Sequence, residues 1–180
     1  YRGRDGSAHV NRVDPTEISG VVVGEYSRYG DVRGSGSQLF DSDALQSVLG
    51  RPFEVGAASI LVNNRGALRG FHVEPSEGRE KFVACLTGEV WDVVVDLRPG
   101  SATYGEWAAT PLSESNRATI VVPRGVGHAL LGISSTSTVS IFTDATSTST
   151  AEIGVDPFDD EIGVQWPDVG HFIRSPRDVS

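Results

Sequence analysis

The fold is indicated most clearly by residues 81–97, which read KFVACLTGEVWDVVVDL. The pair Thr87-Gly88 is typical of a tight turn, because glycine adopts the positive φ that two-residue hairpin turns require. Residues after the turn alternate between two faces, as in a β-strand. These two faces are Trp91, Val93, Val95 and Leu97, and Val90, Asp92, Val94 and Asp96. The stretch therefore predicts a β-hairpin whose second strand is half-buried.

The rest of the chain has the same character. From Ile18 onward it consists mostly of short β-rich runs separated by Gly, Pro and Ser, which is typical of an antiparallel sandwich or barrel. One short helix is predicted after Asp41, a potential N-cap, and before Gly50. We expect an all-β domain over residues 17–180 with one or two short helices. Residues 1–16 are polar and aperiodic and predict an N-terminal arm.

Composition narrows the class of protein. The 180 residues carry a formal net charge of −9, which argues against nucleic acid or an anionic membrane as the main partner. The sequence has no apolar run long enough for a membrane helix. A single cysteine, Cys85, excludes an internal disulfide framework and a cysteine-rich zinc site. We therefore expect a cytoplasmic, acidic, single-domain protein.

Few residues suggest chemistry by themselves. His72 lies in LRGFHVEP, Lys81 opens a predicted strand, and His128 follows a Pro-Arg-Gly loop. The simplest interpretation makes His72 a hydrogen-bonded core or rim residue and Lys81 a solvated edge residue. His72 has no second histidine close by in sequence, so no metal site is predicted; a site of His72, His128 and a carboxylate is the open alternative.

Arg69 and His72 would point to opposite faces of a regular strand. Both can reach one cavity only if the strand bulges or bends, and Gly70 is the residue where this is easiest. A bulge at Gly70 is therefore an assumption of any site that uses both residues.

Several segments together resemble the dTDP-4-dehydrorhamnose 3,5-epimerase family. The matching segments are DVRG (31–34), LRGFH (68–72), residues 80–107, LSESN (112–116), VPRGVGHALL (122–131), IGVQWPD (162–168) and SPRD (175–178). The resemblance implies a cupin jelly-roll β-barrel, a homodimer, and metal-free proton abstraction next to a ketone, with no cofactor. The implied substrate is a dTDP-4-keto-6-deoxy sugar.

The same resemblance implies roles for individual residues. His72 would take the proton from carbon, Asp178 would orient His72, and Lys81 would stabilise the enolate oxygen. Substrate contacts would come from Arg33, Arg69, His128 and Ser140. Ser140 is a departure, because it occupies the position assigned to the tyrosine with which the family reprotonates the opposite face.

Three hypotheses follow. The first is a sugar-nucleotide epimerase of narrowed scope, acting at the 3- and/or 5-carbon. The second is a diverged isomerase or cyclase of secondary metabolism that uses His72, Lys81 and Asp178 on a non-nucleotide carbonyl compound. The second is favoured by Ala57-Ala58-Ser59-Ile60-Leu61, which replaces polar residues of the family. The third is a non-catalytic cupin that only binds a ligand or a partner.

Overall fold

The computed structural model describes residues 12–76, 78–144 and 152–178. In chain order the elements are β1 (Arg12–Pro15), β2 (Val22–Glu25), β3 (Arg28–Asp31), β4 (Gly34–Ser37), α1 (Ser42–Leu49), β5 (Ala57–Asn64), β6 (Leu68–Val73), β7 (Lys81–Thr87), β8 (Glu89–Asp96), β9 (Trp107–Ser113), β10 (Ala118–Val122), β11 (Val126–Gly132), β12 (Thr136–Thr143) and β13 (Ile153–Gly154). A 3-10 helix, Pro176–Asp178, follows β13.

Two antiparallel sheets face each other. The larger sheet has the strand order β1-β2-β10-β7-β12-β5, and the smaller has the order β13-β6-β11-β8-β9. Strands β3 and β4 form a separate hairpin. Between the sheets, Val83, Val94, Ile120, Leu130 and Val139 pack into one core. The predicted all-β jelly roll with short helices is confirmed.

The predicted hairpin at Thr87-Gly88 is wrong. Strand β7 pairs with β10 and β12 in the larger sheet, whereas β8 pairs with β11 and β9 in the smaller one. The turn is therefore a corner at which the chain crosses between sheets. A Cβ at Gly88 would lie 2.5 Å from the carbonyl oxygen of Thr136, so the corner packs tightly against β12. Turn residues determine the local backbone conformation, but they do not determine whether the strands on either side pair with each other.

Strand β8 has the predicted alternation, but it is not half-buried. Val90 and Val94 pack between the sheets, while Val93 and Val95 pack on the outer face of the smaller sheet. That outer face is covered by the C-terminal segment, which includes Trp166 and Val169. Both faces of β8 are thus enclosed, and even Asp92 and Asp96 are fully buried.

The short helix is confirmed at both ends. The Asp41 carboxylate accepts hydrogen bonds from the backbone N–H groups of Asp43 and Ala44, at 3.1 and 3.0 Å. Gly50 closes α1 in the left-handed conformation. The helix buries Leu45 against the outer face of the larger sheet, beside Phe82.

Part of the predicted N-terminal arm belongs to the larger sheet. Residues 12–15 form β1, which pairs with β2 at the edge of the larger sheet. Residues 1–11 of the arm lie outside the described residues. Within the described ranges, no helix has the length and apolar character needed to cross a membrane.

Candidate active site

A cavity of about 400 Å³ opens between the two sheets. The smaller sheet contributes Arg69 and His72 from β6 and His128 and Leu130 from β11. The larger sheet contributes Ser59, Leu61, Lys81, Ile141 and Thr143. The remaining lining residues are Arg79, Glu152, Ser175 and Asp178. The cavity brings together five of the predicted site residues: Arg69, His72, Lys81, His128 and Asp178.

The bulge at Gly70 is confirmed. Opposite β11, His72 pairs with His128 and Arg69 pairs with Leu130, so β6 uses one more residue than β11 over this interval. The extra residue turns Arg69 and His72 to the same side of the sheet. Gly70 has φ 108°, and a Cβ there would lie 2.3 Å from the carbonyl oxygen of His128. Only glycine fits this combination of conformation and close approach.

His72 and Asp178 form a hydrogen-bonded pair across 106 residues of sequence. His72 Nε2 lies 2.8 Å from Asp178 Oδ1, and the second carboxylate oxygen accepts hydrogen bonds from the N–H and hydroxyl of Ser175. Burial alone would raise the pKa of Asp178. The hydrogen bonds from Ser175, His72 and the Gly70 N–H outweigh burial and hold that pKa below its usual value. Asp178 is therefore a carboxylate at neutral pH and accepts from His72 Nε2, while His72 Nδ1 faces Glu152.

Lys81 is buried and lies between two carboxylates. Its Nζ is 3.5 Å from Glu74 Oε1 and 3.3 Å from Glu152 Oε1. Glu74 also binds Arg79 at 2.9 Å. Lys81 is thus fixed inside the cavity, unlike the solvated strand-end lysine of the simplest interpretation.

Glu152 occupies the space between the predicted base and the predicted cation. The same oxygen, Oε1, is 3.5 Å from His72 Nδ1 and 3.3 Å from Lys81 Nζ. An anionic oxygen is therefore accommodated where an enolate oxygen would lie next to Lys81. Sequence reasoning missed Glu152, which has no recognisable spacing to either partner. It also missed Glu74, although Glu74 follows His72 by two residues, the spacing of one face of a strand.

His128 belongs to a second buried pair. Its Nε2 lies 2.8 Å from Asp92 Oδ2, and Asp92 is completely buried. The other oxygen, Asp92 Oδ1, has no hydrogen-bond partner among the described residues. His128 is therefore needed to compensate the buried carboxylate as well as to line the cavity. The alternation of β8, which puts Asp92 with Val90 and Val94, is the sequence signal for this position.

Arg69 reaches the cavity rim. Its Nε donates to Asn63 Oδ1 at 2.7 Å, which orients the guanidinium from the neighbouring β5. Among the described residues, Arg79 and Lys81 are the other Lys or Arg side chains of the cavity lining, and both are paired with Glu74.

Two predicted substrate-binding residues do not reach this cavity in the described structure. Ser140 is buried on the outer face of the larger sheet, where its hydroxyl donates to the carbonyl oxygen of Ala84 at 3.4 Å. Ile141, the next residue of β12, lines the cavity instead, because side chains alternate along a strand. The residue of β12 that faces the cavity is therefore Ile141, one position after the predicted Ser140. Arg33 lies on the β3–β4 hairpin, with its side chain 83% exposed and paired with Asp31.

Comparison with known proteins decides the family. The sequence profile of dTDP-4-dehydrorhamnose 3,5-epimerase matches residues 15–180. The chain belongs to the dTDP-4-dehydrorhamnose 3,5-epimerase family. A dTDP-4-dehydrorhamnose 3-epimerase of Streptomyces niveus is 37% identical over 168 residues, which are 93% of this chain and 81% of the relative.

Solved structures of the family superpose closely on this chain. One is NovW, a 4-keto-6-deoxy sugar epimerase from the novobiocin gene cluster of Streptomyces spheroides. It is 35% identical with a TM-score of 0.89, covering 96% of this chain and 87% of NovW. Another is ChmJ, a 3'-monoepimerase of Streptomyces bikiniensis in complex with dTDP-quinovose. It is 30% identical with a TM-score of 0.88, covering 92% of this chain and 84% of ChmJ. The cupin fold and the isomerase class predicted for this epimerase are confirmed.

Proposed function

We propose that this epimerase acts on a dTDP-4-keto-6-deoxy sugar, with His72 as the base, Asp178 as its orienting carboxylate and Lys81 as the cation that stabilises the enolate. One observation carries the proposal. The His72–Asp178 pair and Lys81 meet in a single cavity, and one oxygen of Glu152 lies within 3.5 Å of both His72 Nδ1 and Lys81 Nζ. A ketone oxygen near Lys81 would place its neighbouring carbon within reach of His72.

The chemistry follows from this arrangement. His72 Nδ1 takes the proton from the carbon next to the ketone, and the C–H electron pair moves into the carbonyl to form the enolate. Asp178 favours the resulting imidazolium, to which it is already hydrogen-bonded. The Lys81 ammonium stabilises the enolate oxygen more than the neutral ketone, and this difference lowers the barrier.

The two arginines of the cavity lining support a nucleotide-linked substrate. Arg69 and Arg79 are guanidinium groups, whose planar fork suits phosphate oxygens. Relatives of this chain include ChmJ in complex with dTDP-quinovose. We therefore assign the diphosphate to the part of the cavity beside Arg69, whose guanidinium is held by Asn63 and the Val62 carbonyl oxygen.

A second candidate function is isomerisation or ring closure of a non-nucleotide carbonyl compound by the same His72, Lys81 and Asp178. The observation that favours it is an apolar part of the cavity lined by Leu61, Leu130 and Ile141. Such a surface suits a ligand with fewer hydroxyl groups.

Ligand binding separates the two candidates. If the substrate is nucleotide-linked, dTDP at 100 times its Kd should stabilise the folded protein by about 2.7 kcal/mol, measured as a rise in Tm. Absence of any stabilisation at millimolar dTDP would rule out the nucleotide-linked substrate and leave the second candidate.

Isotope exchange tests the base. In deuterated water, the wild type should incorporate deuterium next to the ketone of a dTDP-4-keto-6-deoxy sugar, and His72→Ala should abolish this exchange. His171→Ala is the matched control, because His171 is exposed and does not line the cavity. Unchanged exchange in His72→Ala would remove His72 as the base.

The proposal includes a cytoplasmic homodimer. Its support is an exposed apolar patch on the outer face of the larger sheet, formed by Ile60, Val62 and Leu86, of which Ile60 and Val62 are 68% and 60% exposed. In such a dimer, Arg33 would contact the cavity of the partner subunit instead of the cavity of its own chain.

A further inference from the structure

Inversion at a carbon atom requires two proton-transfer groups. The proton leaves on one face of the carbon, and another must arrive on the opposite face. His72 and Asp178 lie beside the smaller sheet, so a substrate between the sheets presents its other face to the larger sheet. The donor should therefore be found among the side chains that the larger sheet directs into the cavity.

Few of those side chains can donate a proton. In the described part of the chain they are Ser59 and Leu61 from β5, Lys81 from β7, and Ile141 and Thr143 from β12. Lys81 is the titratable group in this set. The alcohols of Ser59 and Thr143 are far weaker acids than an ammonium group, and Leu61 and Ile141 have no proton to give.

The composition of the chain points to the same residue. Lys81 is the only lysine in the sequence, and the other 14 of the 15 Lys and Arg side chains are arginine. Arginine supplies a permanent charge but does not release a proton in proteins, whereas lysine does both. A stabilising charge alone would be met by arginine, the cation that this chain uses at every other position.

The distances allow both groups to reach one carbon. Glu152 Oε1 is 3.5 Å from His72 Nδ1 and 3.3 Å from Lys81 Nζ, so the two nitrogens lie no farther apart than those distances together. A substrate carbon that takes the place of the Glu152 carboxylate between them would be about 3–3.5 Å from each nitrogen, which is the range of a reactive contact. Glu74 then takes one N–H bond of Lys81, and the other two can face the enolate oxygen and the adjacent carbon.

We propose that Lys81 is the proton donor on the face opposite His72, an inference that rests on the proposed epimerase function. His72 takes the proton and the electron pair moves to the ketone oxygen. The enolate then collapses, and its carbon forms a C–H bond to a proton of Lys81 as the N–H bond breaks. His72 ends as imidazolium and Lys81 as a neutral amine, and exchange with solvent restores both.

The substitution Lys81→Arg tests this role, because it keeps the charge and removes the releasable proton. With a dTDP-4-keto-6-deoxy sugar in deuterated water, His72 should still exchange the α-hydrogen of the recovered substrate. Formation of the epimer should fall by about 100-fold or more relative to that exchange. Equal losses of exchange and epimer formation would show that Lys81 contributes charge alone and would overturn the proposal.

A second experiment does not depend on how well arginine fits. In Lys81→Ala, added ethylammonium should restore epimer formation, and ethylguanidinium should restore exchange only. Equal rescue of epimer formation by both cations would also overturn the proposal. Failure of the proposed function itself looks different, because the wild type would then show neither exchange nor epimer with the sugar nucleotide.

Discussion

Gly70 is the residue on which the geometry of the site depends. It has φ 108° and no room for a Cβ beneath the His128 carbonyl, and the bulge that it permits turns Arg69 and His72 into the same cavity. Its N–H also points to Asp178 Oδ1, at 3.4 Å. One glycine therefore connects the backbone of β6, the base and the carboxylate that orients it.

The substitution Gly70→Ala should lower the free energy of unfolding by about 3 kcal/mol, because it adds both backbone strain and a backbone clash. Urea denaturation measures the loss. Gly100→Ala is the matched control, since Gly100 has φ 80° but no atom within 4 Å of a Cβ. Equal losses in the two variants would show that the close approach to His128 contributes nothing.

Ile141 is the second residue whose position leads to a testable prediction. Because Ile141 faces the cavity and Ser140 faces away, Ile141→Tyr should place a phenol opposite His72. We expect this variant to gain inversion at a second carbon next to the ketone, detected by NMR as a new epimer. Ser140→Tyr should leave the set of epimers unchanged, and a gain in that variant instead would contradict the assignment of the two faces.

At the scale of elements, the turn after β8 is held by a buried charge cluster. Asp96 binds Arg98 at 2.7 Å, and it accepts hydrogen bonds from Ser101 and Thr103 at 2.6 and 2.7 Å. The Arg98 guanidinium is the largest cause of a strongly lowered pKa of Asp96; burial opposes it, and the two hydroxyl groups assist. Asp96 therefore links β8 to the turn that precedes β9 as a carboxylate.

This cluster predicts a dependence of stability on pH. A lowered pKa in the folded state means that the stabilisation is fully present above the ordinary aspartate pKa of 3.8 and is lost as the pH falls below it. Asp96→Asn should lower the free energy of unfolding by about 2 kcal/mol at pH 7. The free energy of unfolding of this variant should also fall less than that of the wild type when the pH is lowered.

The matched control for Asp96 is Asp31→Asn. Asp31 forms an exposed pair with Arg33, and such surface pairs contribute little to stability. Chemical denaturation at pH 7 and at pH 3 measures both variants. A loss in Asp96→Asn that is the same at both pH values would contradict an ionised Asp96.

At the scale of the whole molecule, the two faces of the larger sheet have different neighbours. Its inner face lines the cavity, and much of its outer face is covered by α1 and the aromatic cluster of Phe40, Phe53, Phe82 and Phe142. The edge strand β5 leaves Ile60 and Val62 exposed.

If a second copy covers this patch, Ile60→Asp combined with Val62→Asp should convert the dimer to a monomer without loss of the fold. Light scattering after size exclusion gives the mass, and circular dichroism reports the fold. Tyr104→Asp, a change at an exposed aromatic residue in the turn between β8 and β9, should leave the dimer intact. A wild type that is monomeric at micromolar concentration would contradict the proposed homodimer.

Local rules of the chain explain which elements the sequence predicts well. Alternation along β8 and the caps of α1 at Asp41 and Gly50 depend on neighbours a few residues away, so the sequence alone determines them. The bulge at Gly70 is different, because the sequence required it only on the assumption that Arg69 and His72 share one cavity, and the pairing of β6 with β11 decided it. Motif text, from LRGFH to SPRD, was sufficient to indicate the family and to name His72, Lys81 and Asp178.

Contacts between distant segments were decided only by the tertiary structure. The crossing of the chain between sheets at Gly88, the position of Glu152 between His72 and Lys81, and the inward direction of Ile141 rather than Ser140 all depend on strand pairing over tens of residues. Pairing is set by burial of whole faces, and a shift of one residue reverses every side chain of a strand. The sequence by itself thus determined the elements and the family, and the packing of the two sheets decided which residues face the base.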